Sequence, residues 1–279
     1  MRLRVEHVTT LRYEGSATAS YNEARMTPLT TPDQTALDAR FAVSPHAAVL
    51  RYWDYWGSHV TAFDVHTPHT ELVTTASAIV ETDRPAGTPA DAGAGWADLA
   101  APAVADRFVE QVRPTSRTRA PAEVAERARE LAAAHGPHET ALRLCGWLRE
   151  EVAYVPGATG VHDTAAESWQ QRRGVCQDIA HLACAALREV GVPARYVSGY
   201  LHPTREPEVG REVVGESHAW VEFWTGAWCG WDPTNDVPVG ERHVVVARAR
   251  DFSDVSPLHG VYSGPASSVE ASVRVTRLA

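Results

Sequence analysis

The spacing of apolar residues changes from strand-like to helical and back along the chain, and that order constrains the fold more than any other feature. Up to about residue 82, apolar and polar residues alternate in short runs, VEHVTTLRY, LDARFAVSP, VLRYWDYWG, SHVTAFDVH and ELVTTASAIVE, separated by turn residues. In Val60-Thr61-Ala62-Phe63-Asp64-Val65 the period is near two, as in a strand with one buried face. From about residue 106 the spacing becomes helical. Val124, Ala128, Leu131 and Ala132 form one stripe, and Ala141, Leu144, Cys145, Leu148 and Val152 a second. Ile179, Leu182, Ala183, Ala186, Leu187 and Val190 form a third. Gly136 is expected to stop the first helix at its C′ position, and Gly191-Val192-Pro193 the third. Strand-like runs then return in ARYVSGYL, HAWVEFW, AWCGWD, HVVVARA and SVEASVRVTRL.

Between the two regimes, residues 83–105 read DRPAGTPADAGAGWADLAAPAVA, a Pro-, Ala- and Gly-rich stretch expected as a linker with one short helix packed against a domain. The pattern predicts an α+β chain. An N-terminal antiparallel β-sandwich occupies 1–82, the linker 83–105, and a second domain 106–279 in which helices precede strands. A chain of 279 residues can bury a core in each. The aromatic cluster Tyr52, Trp53, Tyr55 and Trp56 is expected as inter-sheet core plus an edge, in preference to a binding platform.

Composition narrows the function. There are 26 basic and 35 acidic residues, a net charge of −9, which argues against nucleic acid as a partner. Every basic residue is Arg; the chain has no Lys. No apolar run is long enough to span a membrane. The start MRLRVEHVTTLRYEG has no apolar signal core, so a cytoplasmic location is expected. Four cysteines, 145, 176, 184 and 229, are too scattered for a disulfide framework and lack C-x-x-C spacing, so reduced thiols and no structural zinc are expected. His202, Glu206 and Glu208 cluster in sequence but lack recognised ligand spacing, and no metal or cofactor is expected.

The sharpest local signal is Arg173-Gly174-Val175-Cys176-Gln177-Asp178. A thiol attacks as thiolate, and a helix N-terminus favours that form through unpaired N–H groups and the macrodipole. Those N–H groups can also receive a developing oxyanion. Cys145, Cys184 and Cys229 lie within stripes or strands and read as structural, as does His181. Asp178 sits where an acid caps the helix. A thiol nucleophile needs a base, and the base an orienting group. Ser217-His218-Ala219-Trp220 starts a strand, and Trp231-Asp232-Pro233 ends the next, so a hairpin would bring Asp232 beside His218. Residues 201–216 are expected as a loop overhanging this site.

Taken together, GVCQDIAHLACAALREVGVPARYVSGYL, HAWVEFW, WDPTND and RDFSDVSPLHGVYSG resemble the bacterial transglutaminase-like (transglutaminase-core) superfamily. The N-terminal run, with EARMTP at 23–28, WGSHVTAF and PHTEL, is similar to the small β domain preceding the core in many bacterial members. The resemblance covers nearly the whole chain apart from the linker. It implies a papain-like cysteine-protease fold and a triad of Cys176, His218 and Asp232. It also implies a side-chain oxyanion donor just upstream of the cysteine, for which Trp169, Gln170 and Gln171 are the nearby options. Two departures stand out: there is no D-x-[DN]-x-[DN]-G calcium loop, and Ser58 stands where the β domain more usually has Asn. The activity implied is thioester-forming acyl transfer on a peptide or amide substrate, foremost as a peptidase or amidase. Transglutaminase or amide-ligase chemistry is the alternative. A non-catalytic peptide-binding scaffold is a third reading, opposed by the intact Cys, His and Asp.

Overall fold

The computed structural model describes residues 1–84 and 93–279. Six N-terminal strands come first: β1 (Arg2–Ala17), β2 (Ala19–Ala24), β3 (Gln34–Ser44), β4 (Val49–Trp53), β5 (His59–Val65) and β6 (His69–Thr82). Helices α1 (Trp96–Leu99), α2 (Pro102–Arg107), α3 (Val109–Val112), α4 (Ala122–Ala134) and α5 (Pro137–Glu151) follow. Next are β7 (Ala153–Tyr154), α6 (Ala165–Gln171), β8 (Arg173–Gly174) and α7 (Cys176–Glu189). The chain then forms β9 (Ala194–Leu201), β10 (Glu212–Trp224), β11 (Trp228–Asp232), β12 (Val237–Pro238) and β13 (His243–Ala249). It closes with α8 (Phe252–Val255), β14 (Leu258–Ser263) and β15 (Ser267–Arg277). This is the expected α+β architecture: antiparallel N-terminal sheets joined to a mixed core.

The helical stripes meet at α7, where every residue from Gln177 to Arg188 is buried. A helix buried on all sides must be packed from all sides. Here α4, α5 and α6 surround it, with β9 and β10 on the remaining face. Ile179, Leu182, Leu187, Leu144, Leu148, Tyr196 and Val221 share this main core. A second core, with Met26, Phe63, Val65 and Leu72, lies between the two N-terminal sheets.

Strand order departs from a clean division between 1–82 and 106–279. The larger sheet runs β12-β11-β10-β15-β1-β6-β3, with β9 beside β10 and β13 beside β9; the smaller runs β14-β2-β5-β4. The last two strands, grouped by sequence order with the core, thus complete both N-terminal sheets. Residues 212–215 of β10 pair with β15, whereas 216–223 pair with β9. Alternation identifies a strand but not its partner, and β15 covers what would otherwise be an open edge of β1.

Three further expectations are met in part. Of the linker, 85–92 lies outside the described residues, and the expected packed short helix is present as α1, with α2 beginning in the same stretch. Leu99 is buried, and the Trp96 indole N–H donates to the His135 carbonyl at 2.9 Å. Its alanines are good helix formers, which composition alone disguises. Gly136 stands at the C′ position of α4, after the His135 C-cap, but it is extended (φ −70°) and also N-caps α5 instead of forming a left-handed cap. In the aromatic cluster, Trp53 and Tyr55 are 64% and 80% exposed, and only Trp56 packs against the main core. The cause is position: β4 is the edge of the smaller sheet, and Tyr55 and Trp56 lie in the turn beyond it.

Candidate active site

Two-residue parallel pairing of β7 with β8 leads the chain into α7, so that Cys176 becomes the first helical residue and is half-buried. Asp178 builds this turn. Its Oδ2 accepts the Val175 N–H at 2.8 Å and the Thr159 hydroxyl at 2.6 Å, and its Oδ1 accepts the Ser168 hydroxyl at 2.9 Å. One carboxylate therefore caps α7 and ties it to α6 and to the 155–160 loop. Gly174 makes room for it: a β-carbon there would lie 2.7 Å from Asp178 Cβ and Oδ2.

His218 and Asp232 lie diagonally across the β10–β11 hairpin, whose register pairs Val221 with Trp231. His218 Nε2 donates to Asp232 Oδ2 at 2.8 Å, and both side chains are almost fully buried. His218 Nδ1 is buried, with no partner within hydrogen-bond distance among the described residues. Burial opposes the imidazolium, but the hydrogen bond to Asp232 and the proximity of Cys176 and Asp232 as negative charges outweigh it. The ring's pKa accordingly rises well above the ordinary histidine value. Asp232 is held well below the usual carboxylate range: burial opposes this, and the donors His218, His243 and Asn235 overcome it.

His243, which the sequence reading did not single out, is the second imidazole on that carboxylate. Gly240 N–H donates to His243 Nδ1 at 3.2 Å, which assigns the ring proton to Nε2, 3.3 Å from Asp232 Oδ2. Burial lowers the His243 pKa and keeps it a neutral donor. Asp232 Oδ1 accepts the N–H groups of Thr234 and Asn235, and Oδ2 also takes the Asn235 side-chain amide at 2.7 Å. The Asp-Pro turn and the His218 contact are thus one structure. His218, Asp232 and His243 could converge on a metal by proximity. Their facing atoms are instead matched as donors and acceptor.

The other residues singled out in the sequence fall elsewhere. Trp169 is buried, with its indole N–H on Glu123 at 3.2 Å, while Gln170 and Gln171 are exposed on α6. Tyr154, paired with Gly174 across β7–β8, lines hollows beside both Cys176 and His218, and the fully buried Tyr196 phenol also lies within reach of the Cys176 charge. Only a two-residue strand marks Tyr154 in the sequence. Burial pushes the Cys145 and Cys184 thiols up, the latter to about 11, and that of Cys229 up as well. Buried His181 accepts the Phe252 N–H at 3.1 Å. His202 Nδ1 accepts the Thr204 N–H, and Glu208 pairs with Arg211, so His202, Glu206 and Glu208 do not converge. The overhanging loop is shorter than expected, because β10 begins at Glu212. No described helix is long and apolar enough to cross a membrane.

Comparison with known proteins fits this geometry. Residues 125–233 match the model of the transglutaminase-like superfamily, and residues 3–81 that of the bacterial transglutaminase-like N-terminal region. An uncharacterised protein of Mycobacterium leprae is 46% identical over 279 residues, covering 100% of this chain and 99% of that protein. A protein-glutamine gamma-glutamyltransferase of Pseudomonas aeruginosa is 34% identical over 116 residues, 39% of this chain and 17% of that enzyme. The crystal structure of a Cytophaga hutchinsonii protein, named as a proposed cysteine protease, superposes with a TM-score of 0.81 at 20% identity. It covers 100% of this chain and 91% of that one.

Proposed function

The chain belongs to the transglutaminase-like superfamily, and from that premise we propose that it is a thiol-dependent acyl-transfer enzyme acting on amide bonds. One observation carries the reading: a half-buried thiol opens α7 beside a buried imidazole whose other nitrogen is hydrogen-bonded to a carboxylate. Cys176 gives its proton to His218 Nδ1 and attacks the carbonyl carbon. The tetrahedral oxyanion meets the N–H groups at the start of α7, with the Tyr154 hydroxyl as the side-chain donor. The carbon–nitrogen bond breaks as the His218 imidazolium protonates the leaving amine, and a thioester remains on Cys176. Asp232 holds the ring and stabilises its charge, and His243 holds Asp232.

Water then resolves the thioester, so hydrolysis is the leading outcome. The gamma-glutamyltransferase match favours a second reading, in which another amine does so. Either way the thiol must stay reduced, which favours a reducing compartment such as the cytoplasm. Incubation with a peptide digest in ¹⁸O-labelled water separates the outcomes. Hydrolysis predicts one ¹⁸O at each new carboxylate, absent with Cys176→Ala; amine-linked products without ¹⁸O would favour transamidation. Products equal in wild type and Cys176→Ala would reject both.

A further inference from the structure

Two hollows flank the reacting groups, and their chemistry differs. One, of about 310 Å³, holds Cys176 with Val175, Gly215 and Ser217, and β15 closes it with Ala271 and Val273. No charged side chain lines it among the described residues. The other, of about 340 Å³, holds His218 and is lined by Arg149, Arg205 and Arg242, with Thr234 and Asn235; no carboxylate lines it among the described residues. Arg242 is anchored by the His202 carbonyl at 2.9 Å. Arg149 and Arg205 are exposed and have no hydrogen-bond or ion-pair partner among the described residues. In a chain of net charge −9, three guanidiniums beside one imidazole run against the average.

The reaction gives the two sides different meanings. His218 protonates the departing amine, so the amine portion lies on the His218 side and the acyl portion on the Cys176 side. We propose that the His218-side hollow is the amine subsite and that it selects an amine bearing a carboxylate, either a free α-carboxylate or an acidic side chain. Arginine forks match carboxylates and repel ammonium groups, so a lysine-type acceptor is disfavoured there. This rests on the acyl-transfer reading. By microscopic reversibility the same subsite receives an amine that attacks the thioester: the new carbon–nitrogen bond forms, the carbon–sulfur bond breaks, and the amine proton passes to His218.

The test needs no knowledge of the natural acyl group. The full chain is acetylated at Cys176 with p-nitrophenyl acetate, and release of the acetyl group is followed with four amines at equal free-amine concentration. These are glycinamide without a carboxylate, glycylglycine with an α-carboxylate, glutamic acid α-amide with a side-chain carboxylate, and cationic agmatine. At least one carboxylate-bearing amine should act about two- to fivefold faster than glycinamide, the scale one partly exposed ion pair supports. Which of the two does so identifies the carboxylate recognised, and agmatine should be slowest. Arg149→Gln with Arg205→Gln should bring the ratio, measured within one preparation, close to one, and Arg205→Glu should turn it toward agmatine. A wild-type ratio of one or below, or a ratio unmoved by the arginine variants, overturns the subsite and leaves the acyl-transfer reading intact. Failure to form acetyl-Cys176 overturns the acyl-transfer reading, and the subsite with it.

Discussion

Asp232 accepts hydrogen bonds from His218, His243, Thr234 and twice from Asn235, and substitution can separate what each does. The His218 pKa is raised, so its imidazolium, and the kcat/KM that depends on it, is lost as pH rises through a value above the ordinary ~6.5. Asp232→Asn removes the charge that holds this proton, so the alkaline limb of the pH profile should move to lower pH and the plateau should fall. An unmoved limb with a lower Tm would confine Asp232 to its turn. His243→Ala should lower kcat about tenfold by loosening the carboxylate, comparable to losing an outer-sphere partner elsewhere. His243→Gln, which keeps a donor, should restore most of it. A structural role alone would lower Tm with kcat unchanged and show no such rescue.

Among the elements, α7 and its approach depend on Gly174, where a β-carbon would press on Asp178. Gly174→Ala should cost about 1–3 kcal/mol, the scale of overpacking a filled site. It should also slow iodoacetamide labelling of Cys176, because the cap that sets the helix start is displaced. Unchanged labelling and Tm would show that the turn tolerates the methyl group. Much of this was legible in the sequence. The Gly-x-Cys helix start, the strand carrying His218 and the Asp-Pro turn are local patterns, and the β10–β11 hairpin needs only a short connection. What was not legible is non-local. His243 reaches Asp232 through the β12–β13 connection, Tyr154 approaches Cys176 through a two-residue ladder, and β15 pairs with β1 from the far end of the chain. The aromatic cluster is expected to include an edge, and alternation leaves open only how much of it faces solvent, which the edge position of β4 decides.

Across the whole molecule, β10 and β15 belong to both halves, so the N-terminal sheets and the core should unfold together. A single calorimetric transition is expected, and two resolved transitions would refute that coupling. Stability should also fall in acid. Burial lowers His7 to about 4 and His181 to about 3, so the unfolded chain binds protons that the folded chain excludes. Their contribution is complete above ~6.5 and drains away as pH falls toward those values. His181→Gln should flatten the acid side of a Tm–pH curve, and an equally steep fall in that variant would remove His181 from the cause. Function rests on a smaller set of atoms. The most direct test is a single acetylation by p-nitrophenyl acetate, located by mass spectrometry in wild type and in His218→Ala. A Cys176 nucleophile activated by His218 predicts one acetyl group per chain, on Cys176, forming roughly a hundredfold or more slower without the imidazole. An acetyl group on any other residue, or an equal rate in His218→Ala, would contradict it.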